Sequence, residues 1–398
     1  KPLLQLAQKR IEELNGKFRE TTRDAFFLFH RPRRWNSGER IWMGHERKRG
    51  KLADLNALLR GGSRDGFSLV VGETSVLSSV RYVITLDADT QLPRDAARQF
   101  VGAMAHPLNR ARYNEHLQRV CEGYGILQPR VAVNLAGSNR SHYARLNGSE
   151  PGIDPYTRAV SDVYQDLFGE GSFIGKGIYE VDAFERALEG RFPENRILSH
   201  DLLEGCYARA GLLSDVQLYE KNPSCYREDV SRRHRWIRGD WQLVGWLLPR
   251  APGPGGHRQK NPLSGLSQWK LLDNLRRSLV PSALTVLLLL GWTFLSPLWA
   301  LLVIGSLLIP PLLAAILDLF QKPENVLPEE HFTSVLRSVG RNAIQTVLTI
   351  VFLPYEAFFS MGAIVRTIWR MWVTHTRLLE WTPSSTQERE RCTGLVAH

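Results

Sequence analysis

The chain has few cysteines, and they are far apart in the sequence. Its 398 residues include four, Cys121, Cys206, Cys225 and Cys392, and no two stand in a C-x-x-C spacing. A structural zinc site or a dense disulfide framework needs such spacings, so neither is expected. Isolated cysteines are typical of reduced thiols in the cytosol.

An initiator methionine and a signal peptide are also missing. The sequence begins at Lys1, and we expect it to be an internal piece of a longer polypeptide. Its length leaves room for one large domain and a second part. The formal net charge of +11 suits nucleic acid, anionic lipid headgroups or a polyphosphate substrate. Charge alone does not choose among these partners.

Charge is absent from one long stretch of the chain. Residues 278–317 contain no Asp, Glu, Lys or Arg, and about 20 apolar residues are enough for a helix to cross a bilayer. The stretch predicts a membrane hairpin over about 278–318, with a turn near Ser296 and Pro297. Arg276 and Arg277 precede it and predict a cytoplasmic flank by the positive-inside rule. One very hydrophobic core segment is the alternative.

Two further elements complete a membrane region predicted over 263–381. Residues 341–361 are mostly apolar but interrupted by Pro354 and Glu356, which predicts a third span or an interfacial helix. Residues 364–381 combine Trp and Arg, as helices at the headgroup level do, although a solvated helix face has the same composition. Residues 382–398 are expected to form a linker or tail.

Residues 1–262 alternate strand-like and helix-like segments, which predicts an α/β domain with a largely parallel sheet. The predicted strands are Ala25–Phe29, Phe67–Val71 and Tyr82–Leu86, and the predicted helices are Asp95–Met104 and Asp182–Leu188. Pro252–Pro262 is rich in Gly and Pro and predicts a flexible loop between the two parts of the chain.

Two aspartates follow the strand predicted over Tyr82–Leu86. Asp87 and Asp89 stand at i and i+2, so on an extended chain both carboxylates point to the same side. Paired carboxylates suit Mg²⁺ or Mn²⁺, especially where a diphosphate supplies further oxygen ligands. Ligands also tend to bind at strand ends in open α/β sheets. Ordinary turn chemistry explains many such triplets, so the rest of the chain has to decide.

Two segments on either side of the aspartates have a candidate binding or catalytic role. In the first, Glu46–Asn56, the basic side chains including Lys51 could meet a diphosphate and Asn56 a base or ribose edge, although a solvated helix start has the same charges. In the second, a glycine-rich run at 169–177 precedes His200 and Asp201. Asp201 is a candidate general base, and a helix cap is the alternative.

A third segment combines arginine and tryptophan. Residues 232–241 contain Arg232, Arg235, Arg238 and Trp236. Guanidinium groups can clamp a phosphate, and an indole ring can stack on a sugar face. A nucleic-acid or membrane-surface helix has the same composition, so taken alone this segment leaves those readings open.

The order of these segments resembles the processive inverting membrane glycosyltransferases that include cellulose and hyaluronan synthases. Asp87, Asp89, Asp201, Arg235 and Trp236 match that group's motifs one by one, while Arg232 stands in place of its Gln and His200 in place of its Glu. Longer strings, among them YVITLDADTQLP, GEGSFIGKGIYEVDAFE, FPENRILSHDLLEG and RRHRWIRGDWQ, resemble more narrowly the glycosyltransferase region of cyclic β-1,2-glucan synthases. The resemblance extends from about Ala25 to about Trp381.

The resemblance implies a nucleotide-sugar transferase fold of the GT-A-like kind, a mixed sheet flanked by helices that lacks its first βαβ unit, followed by transmembrane and interfacial helices. It implies UDP-glucose as donor, a β-1,2-glucan acceptor, inversion at the anomeric carbon, and Mg²⁺ or Mn²⁺ bound by Asp87 and Asp89. Asp201 would be the base. The implied donor contacts are Lys51, Asn56, Asp87, Arg232, Arg235 and Arg238, and the implied acceptor contacts are Gly175, His200 and Trp236.

The same resemblance implies a multi-pass protein of the bacterial inner membrane with its catalytic domain in the cytoplasm. Its partners would be the lipid bilayer and other domains of the parent polypeptide, without nucleic acid. Another UDP-sugar or linkage is the nearest alternative. A non-catalytic basic protein that binds membranes or nucleic acid gives no reason for carboxylates at the motif positions, because carboxylates repel phosphate without a metal. A degenerate transferase acting as a scaffold is a third alternative.

Overall fold

The computed structural model describes residues 2–18, 24–134, 141–147, 163–294, 296, 298–320 and 327–381. The strands are β1 (Leu28–His30), β2 (Arg34–Asn36), β3 (Ile41–Met43), β4 (Leu69–Val71), β5 (Tyr82–Thr85), β6 (Arg112–Asn114), β7 (Arg119–Glu122), β8 (Ile126–Val133), β9 (Gly177–Glu180), β10 (Ala210–Glu220), β11 (Arg250–Pro252) and β12 (Arg258–Lys260). The α-helices are α1 (Pro2–Phe18), α2 (Arg47–Leu59), α3 (Ala96–Ala105), α4 (His142–Asn147), α5 (Val163–Phe168), α6 (Val181–Leu188), α7 (Asp201–Ala208), α8 (Tyr226–Gln242), α9 (Gly265–Thr293), α10 (Leu298–Phe320) and α11 (Pro328–Trp369).

The central sheet has the order β10-β8-β9-β5 and is mixed. β10 and β8 are parallel, with a register shift between Leu213 and Gln217, whereas β9 is antiparallel to both β8 and β5. The expectation of a largely parallel sheet is therefore wrong, although a mixed sheet flanked by helices is confirmed. A long connection separates β8 from β9, so the local sequence pattern does not predict whether β9 runs parallel or antiparallel to β8.

The other predicted elements lie close to their expected positions. The strand expected over Ala25–Phe29 is confined to β1, which pairs with β4 in a separate two-stranded sheet. β5, α3 and α6 match their predicted ranges to within a residue or two. The flexible loop expected at 252–262 is wrong, because β11 and β12 form an antiparallel hairpin there. Positive φ angles at Gly255 and Gly256 permit its tight turn.

Both faces of the central sheet are covered by helices. Successive strand residues point to opposite faces, so Leu127 and Ile178 pack with Phe100 of α3 on one face, and Ile126 and Tyr179 pack into the larger core on the other. That larger core includes side chains of α6 and α7. The packing holds the end of β5, the loop before β9 and the start of α7 against one another.

Three helices, α9, α10 and α11, are each long and apolar enough to cross a membrane. α9 and α10 are the two helices expected for the hairpin, and they pack against each other. α11 continues through Pro354 to Trp369 and ends in a π-helical turn, so the separate helix expected over 364–381 is wrong. Of the two residues that suggested a break, Pro354 lies inside the helix, and Glu356 forms an ion pair with Arg233 of α8.

Candidate active site

Asp87 lies at the end of β5, between two lysines. Its Oδ1 is 2.7 Å from Nζ of Lys48 on α2, and its Oδ2 is 3.2 Å from Nζ of Lys176. Burial raises the pKa of the Asp87 carboxyl, but the charges of Lys176 and Lys48 outweigh burial and hold the pKa below its ordinary value. Asp87 therefore stays ionised at neutral pH.

The chain turns directly after Asp87 and does not remain extended. The Thr90 backbone N–H donates to the Asp87 carbonyl at 3.1 Å, and Asp89 is exposed while Asp87 is half-buried. The expectation that both carboxylates point to the same side of an extended strand is therefore wrong, because the chain forms a turn at these residues. Asp89 offers a free-standing oxygen ligand to a divalent cation. Asp87 offers only the lone pairs that its two lysines leave unused.

Lys176 connects the aspartate to the edge of the sheet. Its ammonium lies 2.6 Å from Oε1 of Glu220, the last residue of β10, as well as against Asp87. Burial lowers the pKa of Lys176, and the carboxylates of Glu220 and Asp87 outweigh it and raise the pKa above its ordinary value. The lysine is therefore a permanent buried cation next to the site.

Asp201 meets this cluster through the glycine-rich loop. Lys48 Nζ donates to the Gly175 carbonyl at 2.7 Å, and Gly175 has a φ of 87°. A Cβ at this glycine would stand 2.6 Å from Asp201 Oδ1. The loop thus needs glycine at 175 for its conformation and for the approach of the carboxylate.

Asp201 is not a helix cap. It is the first residue of α7, His200 is at the cap position, and no side-chain capping hydrogen bond forms. Asp201 Oδ1 is buried and accepts no hydrogen bond from the part of the chain that the structure describes. The Asp201 side chain is nevertheless 27% exposed, so the other carboxylate oxygen, Oδ2, is the one that a bound molecule could reach.

A buried histidine lies behind Asp201. His200 Nδ1 is 2.9 Å from Glu204 Oε1 and 3.5 Å from Asp201 Oδ1. Burial lowers the pKa of His200, but the carboxylates of Glu204 and Asp201 raise it above its ordinary value. Among the described residues these three also form a group whose ligand atoms lie within 4.8 Å of one another, so a metal ion could bind there as well.

α8 brings a third cation to the three aspartates. Burial is the largest influence on Arg235 and lowers its pKa, Arg232 lowers it further, and Asp87, Asp89 and Asp201 act in the opposite direction. The charges of all three carboxylates therefore act on Arg235, which lies within electrostatic range of them. The site combines Asp87, Asp89 and Asp201 with Lys48, Lys176 and Arg235.

The other expected residues of α8 have different surroundings. Trp236 is half-buried, and the guanidinium of Arg232 lies 4.7 Å from its ring centroid. Arg232 also pairs with Asp229 of the same helix at 3.2 Å. Arg238 is buried and turns away from the aspartates toward the end of the chain.

The residues that follow α11 form a return segment, 375–381, which packs against the site. Arg238 donates to the carbonyl of Glu380 at 3.1 Å, and Gln242 Nε2 donates to that of Leu378 at 2.8 Å. Trp381 lies between two guanidinium groups, with its ring centroid 5.8 Å from Arg235 and 5.4 Å from Arg47. Arg238 therefore anchors protein backbone through its two terminal nitrogens, Nη1 and Nη2.

Two residues expected to contact the donor lie elsewhere. Asn56 is fully buried in α2, donates to Glu185 at 2.7 Å and accepts from the Tyr179 hydroxyl at 2.7 Å. Lys51 is exposed on the same helix, whereas Lys48, one turn earlier, reaches Asp87. The basic segment Glu46–Asn56 contains the lysine that reaches the site, Lys48, but its sequence alone did not distinguish Lys48 from Lys51. Lys176 was missed, although it directly follows Gly175.

The fold and the site together define an α/β protein with three helices able to cross a membrane and a half-buried site of aspartates and cations at the end of β5. No family model matches the chain. Over 384 residues, 95% of its length, the chain is 44% identical to the cyclic beta-(1,2)-glucan synthase NdvB of Rhizobium meliloti (strain 1021). This identity confirms the predicted resemblance to one region of the cyclic β-1,2-glucan synthases. The chain spans 13% of that relative's length.

We expect Asn56→Ala to destabilise the fold without affecting a donor site. The substitution removes the two hydrogen bonds that Asn56 makes to Glu185 and Tyr179 and leaves both of these side chains unpaired. We expect a loss of about 1–3 kcal/mol in the free energy of unfolding. Lys51→Ala, on the same helix but exposed, is the control and should change stability by less than about 0.5 kcal/mol. Thermal unfolding of the purified variants measures both. Unchanged stability of Asn56→Ala together with lost nucleotide binding would contradict this assignment.

We expect Gly175→Ala to abolish glycosyl transfer. The added methyl group would displace Asp201 or the loop, and a misplacement of about 1 Å costs on the order of 10²-fold in rate. Gly102→Ala is the matched control, because a Cβ at Gly102 meets nothing within 4 Å. Turnover is compared in membranes that contain the complete polypeptide. Turnover of Gly175→Ala equal to that of Gly102→Ala would mean that Asp201 tolerates displacement.

Proposed function

We propose that this chain is the glycosyltransferase part of a membrane-bound β-1,2-glucan synthase, which transfers glucose from UDP-glucose to a growing glucan with inversion at the anomeric carbon. The observation that supports this most directly is geometric: Lys48 binds both Asp87 and the Gly175 carbonyl, and Gly175 lies directly against Asp201. This arrangement occurs in a segment 44% identical to a protein named as a cyclic beta-(1,2)-glucan synthase. The mixed sheet, flanked by helices, is compatible with a GT-A-like domain.

The donor's diphosphate would lie among the cations. Lys48 and Lys176 already hold a carboxylate at the end of β5, and Arg235 of α8 lies within electrostatic range of it. Positive groups fixed in a half-buried site stabilise charge that grows on a leaving group. A divalent cation such as Mg²⁺ or Mn²⁺, bound by Asp89 with Asp87, would supply further positive charge at the diphosphate.

Asp201 would be the general base. Its side chain is 27% exposed while Oδ1 is buried, so Oδ2 would take the proton of an acceptor 2-hydroxyl. The acceptor oxygen then forms a bond to the anomeric carbon while the bond from that carbon to the UDP oxygen breaks. UDP leaves with the electron pair, and the proton remains on Asp201. Attack opposite the leaving group gives inversion.

The acceptor would bind on the side of Trp236. This half-buried ring lies on α8 one residue after Arg235, and an indole face is a suitable surface for a glucose ring. The membrane helices would hold the site at the cytoplasmic face of the bacterial inner membrane, where UDP-glucose is available. Arg276 and Arg277 support this orientation, although both also pair with Asp273.

We expect Asp201→Asn to lower turnover by about 10²–10⁴-fold, because a positioned base contributes that much to the rate, while UDP-glucose affinity changes little. UDP release is measured with a panel of UDP-sugars in membranes that contain the complete polypeptide. Asp215→Asn, an exposed carboxylate of β10, is the control and should retain wild-type turnover.

The panel separates the alternatives. Release from UDP-glucose alone, lost in Asp201→Asn, supports the donor and the base together. Release from a different UDP-sugar keeps the mechanism and rejects glucose as the transferred sugar. Wild-type turnover by Asp201→Asn would exclude this residue as the base. A wild-type protein that releases UDP from none of the UDP-sugars would favour a degenerate transferase that acts as a scaffold.

We expect Asp89→Ala to weaken nucleotide binding only when a divalent cation is present. Its carboxylate is exposed and offers an oxygen ligand to Mg²⁺ or Mn²⁺. UDP affinity is measured for wild type and variant, each with metal and with EDTA. Wild type in EDTA should resemble Asp89→Ala in metal. Equal affinity of both proteins in metal would reject the role of Asp89 as a ligand.

A further inference from the structure

α8 contacts two different parts of the molecule. Arg235 lies 5.8 Å from the Trp381 ring centroid and within electrostatic range of the aspartates of the candidate active site, whereas Arg233 binds the membrane helix α11. Its Nη1 lies 2.5 Å from Glu356 Oε2, and its Nη2 lies 2.6 Å from Glu356 Oε1. Two parallel N–H···O bonds fix direction as well as distance, which a single ammonium cannot do.

Further polar groups complete this contact. The Tyr226 hydroxyl donates to Glu356 Oε1 at 2.6 Å, and Arg233 Nε lies 2.9 Å from Asp229 Oδ2. Burial lowers the pKa of Arg233, but the bonds to Glu356 and the charge of Asp229 outweigh burial and raise it. Arg233 therefore stays charged at any physiological pH.

Glu356 is an unusual residue for its position. Within residues 343–361 it is the only Asp, Glu, Lys or Arg in the sequence, and its side chain is 12% exposed. A carboxylate in an apolar helix is costly unless it is paired. Its main partners, Arg233 and Tyr226, come from α8, which is outside the membrane-spanning helices.

The apolar packing around the pair holds the helices together but does not set their register. Ile237 of α8 packs with Phe359, Ala363 and Ile364 of α11, and Tyr226 stacks on Phe352 with ring centroids 4.6 Å apart. Apolar contacts are non-directional, so helices can shift along such a surface. The bidentate ion pair permits one register only.

We propose that Arg233 and Glu356 are a positioning pair for glycosyl transfer, which fixes α8 along α11 and so holds Arg235 within electrostatic range of the three aspartates. The proposal rests on the proposed transferase function. Because Arg235 would act on charge that grows on the leaving diphosphate, its displacement should affect kcat more than the KM for UDP-glucose.

The experiment is a double-mutant cycle in membranes that contain the complete polypeptide. Arg233→Gln, Glu356→Gln and the double variant are compared for kcat and KM with UDP-glucose. We expect each single variant to lower kcat by about 10–100-fold, with KM within about threefold. The double variant should be no worse than either single one, because residues that act as one pair are not additive.

Two further variants exclude a general loss of folding. Arg233→Lys keeps the positive charge but cannot form two parallel hydrogen bonds to Glu356. It should lower kcat with little change in thermal stability. The charge swap Arg233→Glu with Glu356→Arg should recover part of the lost kcat. Asp273→Asn is the matched control: Asp273 is a buried carboxylate of the membrane helix α9, 5% exposed, and it pairs with Arg276 and Arg277 of its own helix. It should leave kcat within about threefold of wild type.

The outcomes separate this proposal from the proposed function. Additive losses, or a loss in Asp273→Asn equal to that in Glu356→Gln, would overturn the positioning role. A wild type without turnover would reject the proposed function, and hydrogen exchange then tests the pair on its own. Faster exchange of amides 232–238 in Glu356→Gln than in Asp273→Asn supports the pair, and equal exchange overturns it.

Discussion

The half-buried carboxylate of Asp87 is the charge on which the arrangement of the site depends. It holds Lys48 of α2 and Lys176 of the glycine-rich loop, and Lys176 in turn binds Glu220 at the end of β10. A helix, a loop and two strands therefore meet at one negative charge. Without it, two cations would face each other in a partly desolvated space, which their mutual repulsion disfavours.

The same cations that stabilise the protein would serve a phosphorylated ligand. Arg235 and the two lysines are held in place before any ligand binds, so little reorganisation is needed when a diphosphate arrives. Gly175 brings Asp201 to this cluster because no side chain separates them. Structure and proposed chemistry thus use the same few contacts.

The membrane helices contribute directly to this region. Lys270 of α9 donates to the Gly171 carbonyl of the glycine-rich loop at 2.8 Å, and Glu356 of α11 holds α8. The return segment after α11 brings Trp381 against Arg235. Elements that are distant in the sequence therefore form one wall of the site, and the α/β part and the membrane helices depend on each other for their positions.

The sequence alone determined the membrane hairpin, the α/β class, the family resemblance and the residues with the clearest motif positions. Those features follow from local composition and residue order: a long uncharged run must avoid water, and the aspartates stand at defined points of matching motifs. Asp87 and Asp201 do lie in one region, which Lys48 and Gly175 connect. Tertiary structure alone decided which neighbours they have. Lys48 reaches Asp87 and Lys51 does not, Asn56 lies in the core, and Arg238 holds backbone. These outcomes depend on how α2, α8 and the return segment pack, and packing is set by contacts between distant residues that no local pattern contains.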